Sequence, residues 1–211
     1  MLESFTRKLK EKKRLYGFKQ LCILMLKAVT RRILKLDWDT HLLMSKELDS
    51  SIELPLRNDI AIRELELNDF QNKDWRSFMT SEKMAFYENL KKRIAFNTYG
   101  AFINGSLAYV TSIVWDKIIL SAKIDTADRE SFGYIMDSYC HPAFRGNGVH
   151  NYMNQWCLST IKKSGRNKAY VSVLAYNIPA IKTQKKCGLS IEKRVKVIRW
   201  GSYIWKIIVC C

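Results

Sequence analysis

The residues with most chemical potential fall in one short run, Tyr134-Ile-Met-Asp-Ser-Tyr-Cys-His-Pro-Ala-Phe-Arg-Gly-Asn-Gly-Val-His150. Asp137 can act as a general base toward an amine or as an anchor for an ammonium group. Its plainer reading is an ion pair to a neighbouring strand. Tyr139 and Tyr134 can donate a proton or position a substrate, against the plainer reading of strand aromatics. Cys140 is a thiol without the adjacent His and carboxylate that would activate it. His141 and His150 flank a turn that holds Arg145, Gly146, Asn147 and Gly148. A guanidinium beside closely spaced glycines is the chemistry of anion binding, because backbone N–H groups can approach the ligand and a charge stands next to them.

The surrounding pattern supplies the elements that must position this run. Residues 132–140 read as a strand, Pro142 prevents its continuation, and the glycines lead into a helix predicted over 146–163. That helix places Val149, Tyr152, Met153, Trp156, Cys157 and Ile161 on one core-facing stripe. Its first turn leaves backbone N–H groups without intrahelical partners at the positive end of the helix dipole, which suits a pyrophosphate. Glycine pairs before helices are common, so the spacing alone says little. Elsewhere a strand begins at Ile60, a largely helical period covers 68–97, and Asn104-Gly105 joins strands 99–103 and 107–115 as a type I′ hairpin. Further strands are predicted at 118–123 and 169–174, a helix at 177–187, and a closing hairpin at 190–199 and 203–209 around Gly201-Ser202.

Arg145-Gly-Asn-Gly148-Val-His150 resembles the R/Q-x-x-G-x-G/A signature of the GNAT acyltransferases, preceded by the hydrophobic-x-Pro ending of their fourth strand. Asn177-Ile-Pro-Ala180 and Cys187-Gly188-Leu189 are similar to that family's later N-x-x-A and G-F block. The resemblance covers roughly residues 57–211 and is most specific over 132–189. It implies an α/β GNAT fold: a mixed, mostly antiparallel central sheet flanked by helices, here with a basic amphipathic N-terminal helical extension. It also implies acetyl-CoA as co-substrate, with no metal, and direct transfer of the acetyl group to a primary amine. Backbone around Tyr139 and Cys140 would pair with the pantetheine arm. The amides of Arg145, Gly146, Asn147, Gly148, Val149 and His150 would hold the pyrophosphate. Asn177 would lie near the sulfur end, with Ala180 giving clearance. Asp137 and Tyr139 are the catalytic candidates. Asp137 matches the second carboxylate of a Glu-Asp pair in polyamine acetyltransferases, whose first position is Met136 here. Two further departures stand out: His150 puts a side chain where the cofactor passes closely, and Gln184 replaces a Tyr that protonates the leaving thiolate, which glutamine cannot do.

The chain has 211 residues, 36 Lys and Arg against 20 Asp and Glu, and a formal net charge of +16. That field draws anions, so an anionic acceptor such as an amino-sugar nucleotide is one expectation and a protein or peptide terminus another. The first 36 residues hold eleven of the cations against Glu3 and Glu11. Leu15, Phe18, Leu21, Cys22, Met25, Val29, Ile33 and Leu36 recur there at helical steps. Either this stripe docks on the protein, or it contacts an anionic membrane surface or an acidic partner. Residues 1–54 are thus expected to be an extension and connector, and 55–211 the acyltransferase domain, with a further reading as a non-catalytic coenzyme A scaffold whose basic helix binds membrane or nucleic acid. Nucleic acid is the less favoured partner, and homodimerisation is left open. Six cysteines and three histidines show no zinc spacing. They read as reduced thiols of a cytoplasmic protein, peripheral at the inner membrane face if the helix binds lipid. Trp200 and Tyr203 are candidates for the acceptor pocket.

Overall fold

The computed structural model describes residues 12–14, 16–49, 52–66, 69, 70, 75, 78–120, 123–125 and 131–210. Residues 1–11 and Leu15 of the expected N-terminal helix, parts of the helix expected over 68–97, and Cys211 lie outside them. In chain order the elements are α1 (Phe18–Leu34), β1 (Leu36–Glu47), β2 (Ile60–Glu64), α2 (Ser81–Lys91), β3 (Phe96–Ile103), β4 (Ser106–Trp115), β5 (Ile118–Leu120), β6 (Lys123–Asp125), β7 (Phe132–Cys140), α3 (Val149–Lys163), β8 (Lys168–Leu174), α4 (Ile178–Lys186), β9 (Ser190–Trp200) and β10 (Tyr203–Cys210). They fall into two compact units: a central one, Ser45–Val171, and a terminal one made of Met1–Met44 with Ser172–Cys211. β1 and β8 contribute residues to both.

In the central unit β7, β4, β3 and β2 are neighbours in that order, each pair antiparallel, while β8 joins β7 in parallel register with Phe132 opposite Lys168. The β3–β4 turn is the expected one, with Asn104 at φ 49° and Gly105 at φ 74°, the twist that lets two residues close a hairpin. α3 lays Val149 and Met153 against Ile60, Ala101 and Tyr109, all buried. Burying the Val149, Met153 and Ile60 side chains contributes about 1.5–3 kcal/mol each. The opposite packing cluster joins Leu65, Phe70, Trp75, Met79 and Val110, with Phe78 and Tyr139 against it.

Three expectations here need correction. The helix expected over 68–97 is α2 alone among the described residues. Thr80 starts it by accepting the Lys83 N–H, and the N–H groups of Arg93 and Ile94 both close onto the Leu90 carbonyl at its end. Phe96 and Asn97 already pair in β3. The strand expected at 118–123 is the two short strands β5 and β6 of a separate antiparallel pair. α3 starts at Val149, not at 146, because Gly148 sits in the left-handed region as its cap.

In the terminal unit β9 and β10 form the expected hairpin, Trp200 opposite Tyr203, and the Gly201 N–H donates to the Lys35 carbonyl at 3.0 Å. β1 starts at Leu36, directly after the Lys35 cap of α1. α1 docks in an inverted manner. Among the described residues of the expected apolar stripe only Leu21 is buried, while Phe18, Cys22, Met25, Val29 and Ile33 are exposed. The buried contact is Lys27, which donates to Asp39, lies 3.7 Å from Asp37 and stands over the Trp38 ring. Arg199 closes the cluster at 2.7 Å from Asp37 and 3.0 Å from Asp39. Burial pushes the Asp37 carboxyl up, but the hydrogen bond and charge of Arg199, with Lys27 and Arg31, outweigh it and hold the group below the ordinary carboxylate range. A lysine can face inward here because two carboxylates receive it. Lys27→Met therefore leaves buried carboxylate charge under-compensated. It is expected to cost about 3 kcal/mol in urea unfolding, with most of the cost gone once Asp37 is also changed to Asn.

Candidate functional site

The turn after β7 is built from the strand outward. The His141 N–H makes a last bond to the Ala108 carbonyl at 2.9 Å, and Pro142 then opens a 3-10 turn, Pro142–Phe144. Arg145 is exposed; its Nε donates to the Cys140 carbonyl at 3.2 Å, and its guanidinium lies 5.8 Å from the Tyr139 ring. Gly146 and Gly148 have φ 90° and 73°, backbone that other residues adopt only with strain. A Cβ at Gly146 would meet nothing within 4 Å, so the requirement is conformational and the space beside the turn stays open to a ligand. Gly146 and Asn147 belong to this turn and not to α3. The first helical bond runs from the Tyr152 N–H to the Gly148 carbonyl at 3.0 Å, so the N–H groups of Val149 and His150 precede the helical ladder.

Arg57, which the sequence reading missed, braces the same turn. Its Nη1 donates to the Asn147 carbonyl at 3.2 Å, and Asp59 grips the guanidinium at 2.6 Å and 2.7 Å. Arg57 lies ninety residues from Asn147 and carries no motif, so only folding brings it there. His150 turns inward: Nδ1 is 2.9 Å from the Tyr109 hydroxyl, and the two rings meet edge to face at 5.4 Å. Nε2 is buried without a hydrogen-bond partner among the described residues. The half-buried imidazole is thus turned toward Tyr109.

Asp137 sits at φ 55° in the middle of β7. Val110 pairs with Tyr139 and Ser112 with Met136, so Thr111 alone faces both Asp137 and Ser138: a β-bulge. Thr111 Oγ1 reaches Ser138 Oγ at 2.9 Å. The bulge aims Asp137 at α2, where the Tyr87 hydroxyl donates to Oδ2 at 2.8 Å and Lys83 Nζ lies 3.2 Å from the same oxygen. Tyr87 also meets Ser112 Oγ at 3.2 Å, and Ser112 meets Thr98 Oγ1 at 2.9 Å. Burial lowers the Lys83 ammonium's pKa, partly offset by Asp137, and burial raises the Tyr87 phenol well above its ordinary value. The Asp137 partners thus come from a helix and not from a strand. Lys83 and Tyr87 are one turn apart on α2, a spacing visible in the sequence but without meaning until the bulge is known. Tyr139 stacks on Phe78 at 4.5 Å and meets Trp75 at 5.7 Å. It lies in an aromatic cluster, near a cavity of about 450 Å³ lined by Arg63, Trp75, Phe102, His141 and Phe144 among others. The Cys140 thiol is half-buried, and burial raises its pKa, the opposite of an activated nucleophile.

Asn177 and Ala180 lie in the terminal unit, where Asn177 Oδ1 caps α4 by accepting the Ala180 N–H at 3.4 Å. Gln184 is buried with Oε1 unpaired among the described residues. Trp200 and Tyr203 are both exposed, and Tyr203 stacks on Trp205 at 6.0 Å.

Burial lowers the His150 pKa from 6.5 to about 4. The folded state then binds fewer protons than the unfolded state between those values, so stability is fully present above pH 6.5 and declines as pH falls toward 4. The difference in unfolding free energy between the native protein and His150→Gln, measured across this range in urea, is expected to change by up to about 3 kcal/mol. A pH-independent difference would refute the buried neutral imidazole.

No protein-family model matches the chain, and no curated protein matches it in sequence. Solved structures do. A Drosophila protein solved by structural genomics is similar at TM-score 0.58 and 13% identity, over 86% of this chain and 55% of that one. A Novosphingobium aromaticivorans protein named as an acetyltransferase of the GNAT family is similar at TM-score 0.52 and 14% identity, over 78% and 66%. A Staphylococcus epidermidis protein described as functionally unknown is similar at TM-score 0.53 and 11% identity, over 82% and 66%. The chain spans 55% to 66% of the length of these proteins. At such identities the likeness concerns the backbone, and it agrees with the mixed, mostly antiparallel sheet flanked by helices: the chain has the GNAT acetyltransferase fold.

Proposed function

We propose that this protein binds acetyl-CoA and transfers the acetyl group directly to a primary amine. The observation that carries the reading is the turn between β7 and α3, with Gly146 and Gly148 at positive φ, open space at Gly146, and Arg145 exposed beside it. These residues fit a pyrophosphate: amides at a helix N-terminus, an adjacent cation, and open space at Gly146. Tyr139 and Cys140 would meet the pantetheine arm by backbone. When bound, the thioester supplies an activated acetyl group. The amine nitrogen attacks its carbonyl carbon, the carbon–sulfur bond breaks, and the amine gives up one proton as the thiol leaves.

Asp137 is the group on this chain suited to hold the incoming ammonium and take its proton. Tyr87 and Lys83 both engage Oδ2, so Oδ1 is the oxygen that would face an acceptor. Lys83 and Tyr87 would act through Asp137 as positioning residues. Tyr139, packed among aromatics, would position substrate, and Gln184 cannot protonate the thiolate. The net charge of +16 supports an anionic acceptor such as an amino-sugar nucleotide. A non-catalytic, coenzyme A-binding scaffold is a second reading, favoured by the Lys83 ion pair that already neutralises Asp137.

Acetyl-CoA is expected to raise the melting temperature, and Gly148→Asp to abolish that rise by placing a negative charge in the cradle. Asp is among the residues that tolerate this backbone best, so the variant should stay folded. Free-thiol release across a panel of amines separates the readings: Asp137→Asn should lower turnover by about tenfold or more. A melting shift without thiol release on any amine would leave the scaffold; no shift at all would end both.

A further inference from the structure

We propose that α1 is a membrane-surface anchor whose apolar face inserts into an anionic lipid interface. Phe18, Cys22, Met25, Leu26, Val29 and Ile33 follow at three- and four-residue steps, so they share one side of the helix, and every one of them is exposed. Phe18 is 65% exposed and Ile33 72%, values that a docked amphipathic helix does not show. The side that docks is the one bearing Lys27, held by Asp37, Asp39 and Arg199. An ordinary surface helix hides its apolar stripe; α1 leaves that stripe exposed and buries Lys27 instead.

The composition around the face identifies the occupant. Residues 12–36 contain Lys12, Lys13, Arg14, Lys19, Lys27, Arg31, Arg32 and Lys35 and not one Asp or Glu. Lys12, Lys13, Arg14, Lys19, Arg32 and Lys35 are exposed, and Lys19 and Arg32 border the apolar face on its two flanks by helical spacing. Apolar side chains between two rows of cations match the cross-section of an anionic bilayer surface, acyl chains beneath phosphate headgroups. Nucleic acid would engage the cations but has no use for the apolar face, and an acidic protein would need both at once over a single helix. α1 lies on a membrane and does not cross it: no described helix is long and apolar enough to span one.

The test is co-sedimentation of the full chain with vesicles of phosphatidylcholine alone and of phosphatidylcholine containing about 30% phosphatidylglycerol, at low and high salt. The expected result is binding to the anionic vesicles, weak binding to the neutral ones, and loss at high salt. Met25→Ser/Val29→Ser/Ile33→Ser should weaken partitioning by about tenfold or more without altering charge. Lys19→Gln/Arg32→Gln/Lys35→Gln should weaken it by a similar factor on anionic vesicles. Both sets change exposed positions, so melting temperatures should stay near the native value. Failure to bind anionic vesicles overturns the proposal. So does binding that survives the serine set, which would mark a purely electrostatic surface such as one for nucleic acid. A dimer in sedimentation velocity that the serine set dissolves, with no vesicle binding, would assign the face to a second copy and also overturn it.

Discussion

One extra residue in β7 governs the chemistry of the central unit. A regular ladder would send alternate side chains of 136–140 to opposite faces and keep the register set by β4. The bulge at Asp137 and Ser138 opposite Thr111 breaks that alternation. It forces Asp137 into the left-handed region, at a cost of about 1–3 kcal/mol. The compensation is visible around it: Thr111 reaches Ser138, and Asp137 accepts from Tyr87 while facing Lys83. Hydroxyls of Tyr87, Ser112 and Thr98 extend the chain into the sheet. A strained backbone, satisfied polar groups and a carboxylate aimed off the strand are thus one arrangement and not three.

Downstream of the bulge the same strand must change from ladder to anion cradle within a few residues. Pro142 ends the pairing, two glycines take conformations that strain most other residues, and the helix starts only after the second. His150 helps by turning its ring inward. Its ring is placed against Tyr109, where burial keeps it neutral, so the helix start presents backbone and not imidazole. Arg57 and Arg145 then stand beside the turn, each tied to a backbone carbonyl, which holds positive charge near the amides without blocking them.

The terminal unit follows a different logic. Its first helix is fastened by charge, with Lys27, Asp37, Asp39 and Arg199 forming a shared cluster. Such a cluster is directional: it sets the rotation of the helix about its axis, and that rotation decides which stripe faces the protein. Hydrophobic packing alone would have turned α1 by about half a revolution. The apolar side chains left outside are therefore a consequence of one lysine's partners.

Much of this was legible in the residues themselves. Asn104-Gly105 and Gly201-Ser202 are local signals, because a two-residue hairpin needs particular backbone torsions, and both turns formed where expected. The strand, proline and paired glycines of 132–148 were likewise readable, as was the stripe of α3, because each depends on neighbours within a few positions. What the residues could not reveal depends on distance in sequence. The partners of Asp137 sit fifty residues away, Arg57 lies ninety residues from Asn147, and Arg199 is more than a hundred and fifty from Asp37. The length of α2 misled because an apolar period does not record where a chain stops helping a helix and begins to serve a sheet. The orientation of α1 misled for the same reason: periodicity shows that a helix has two faces, and only the tertiary positions of the groups that satisfy Lys27 determine which one is hidden.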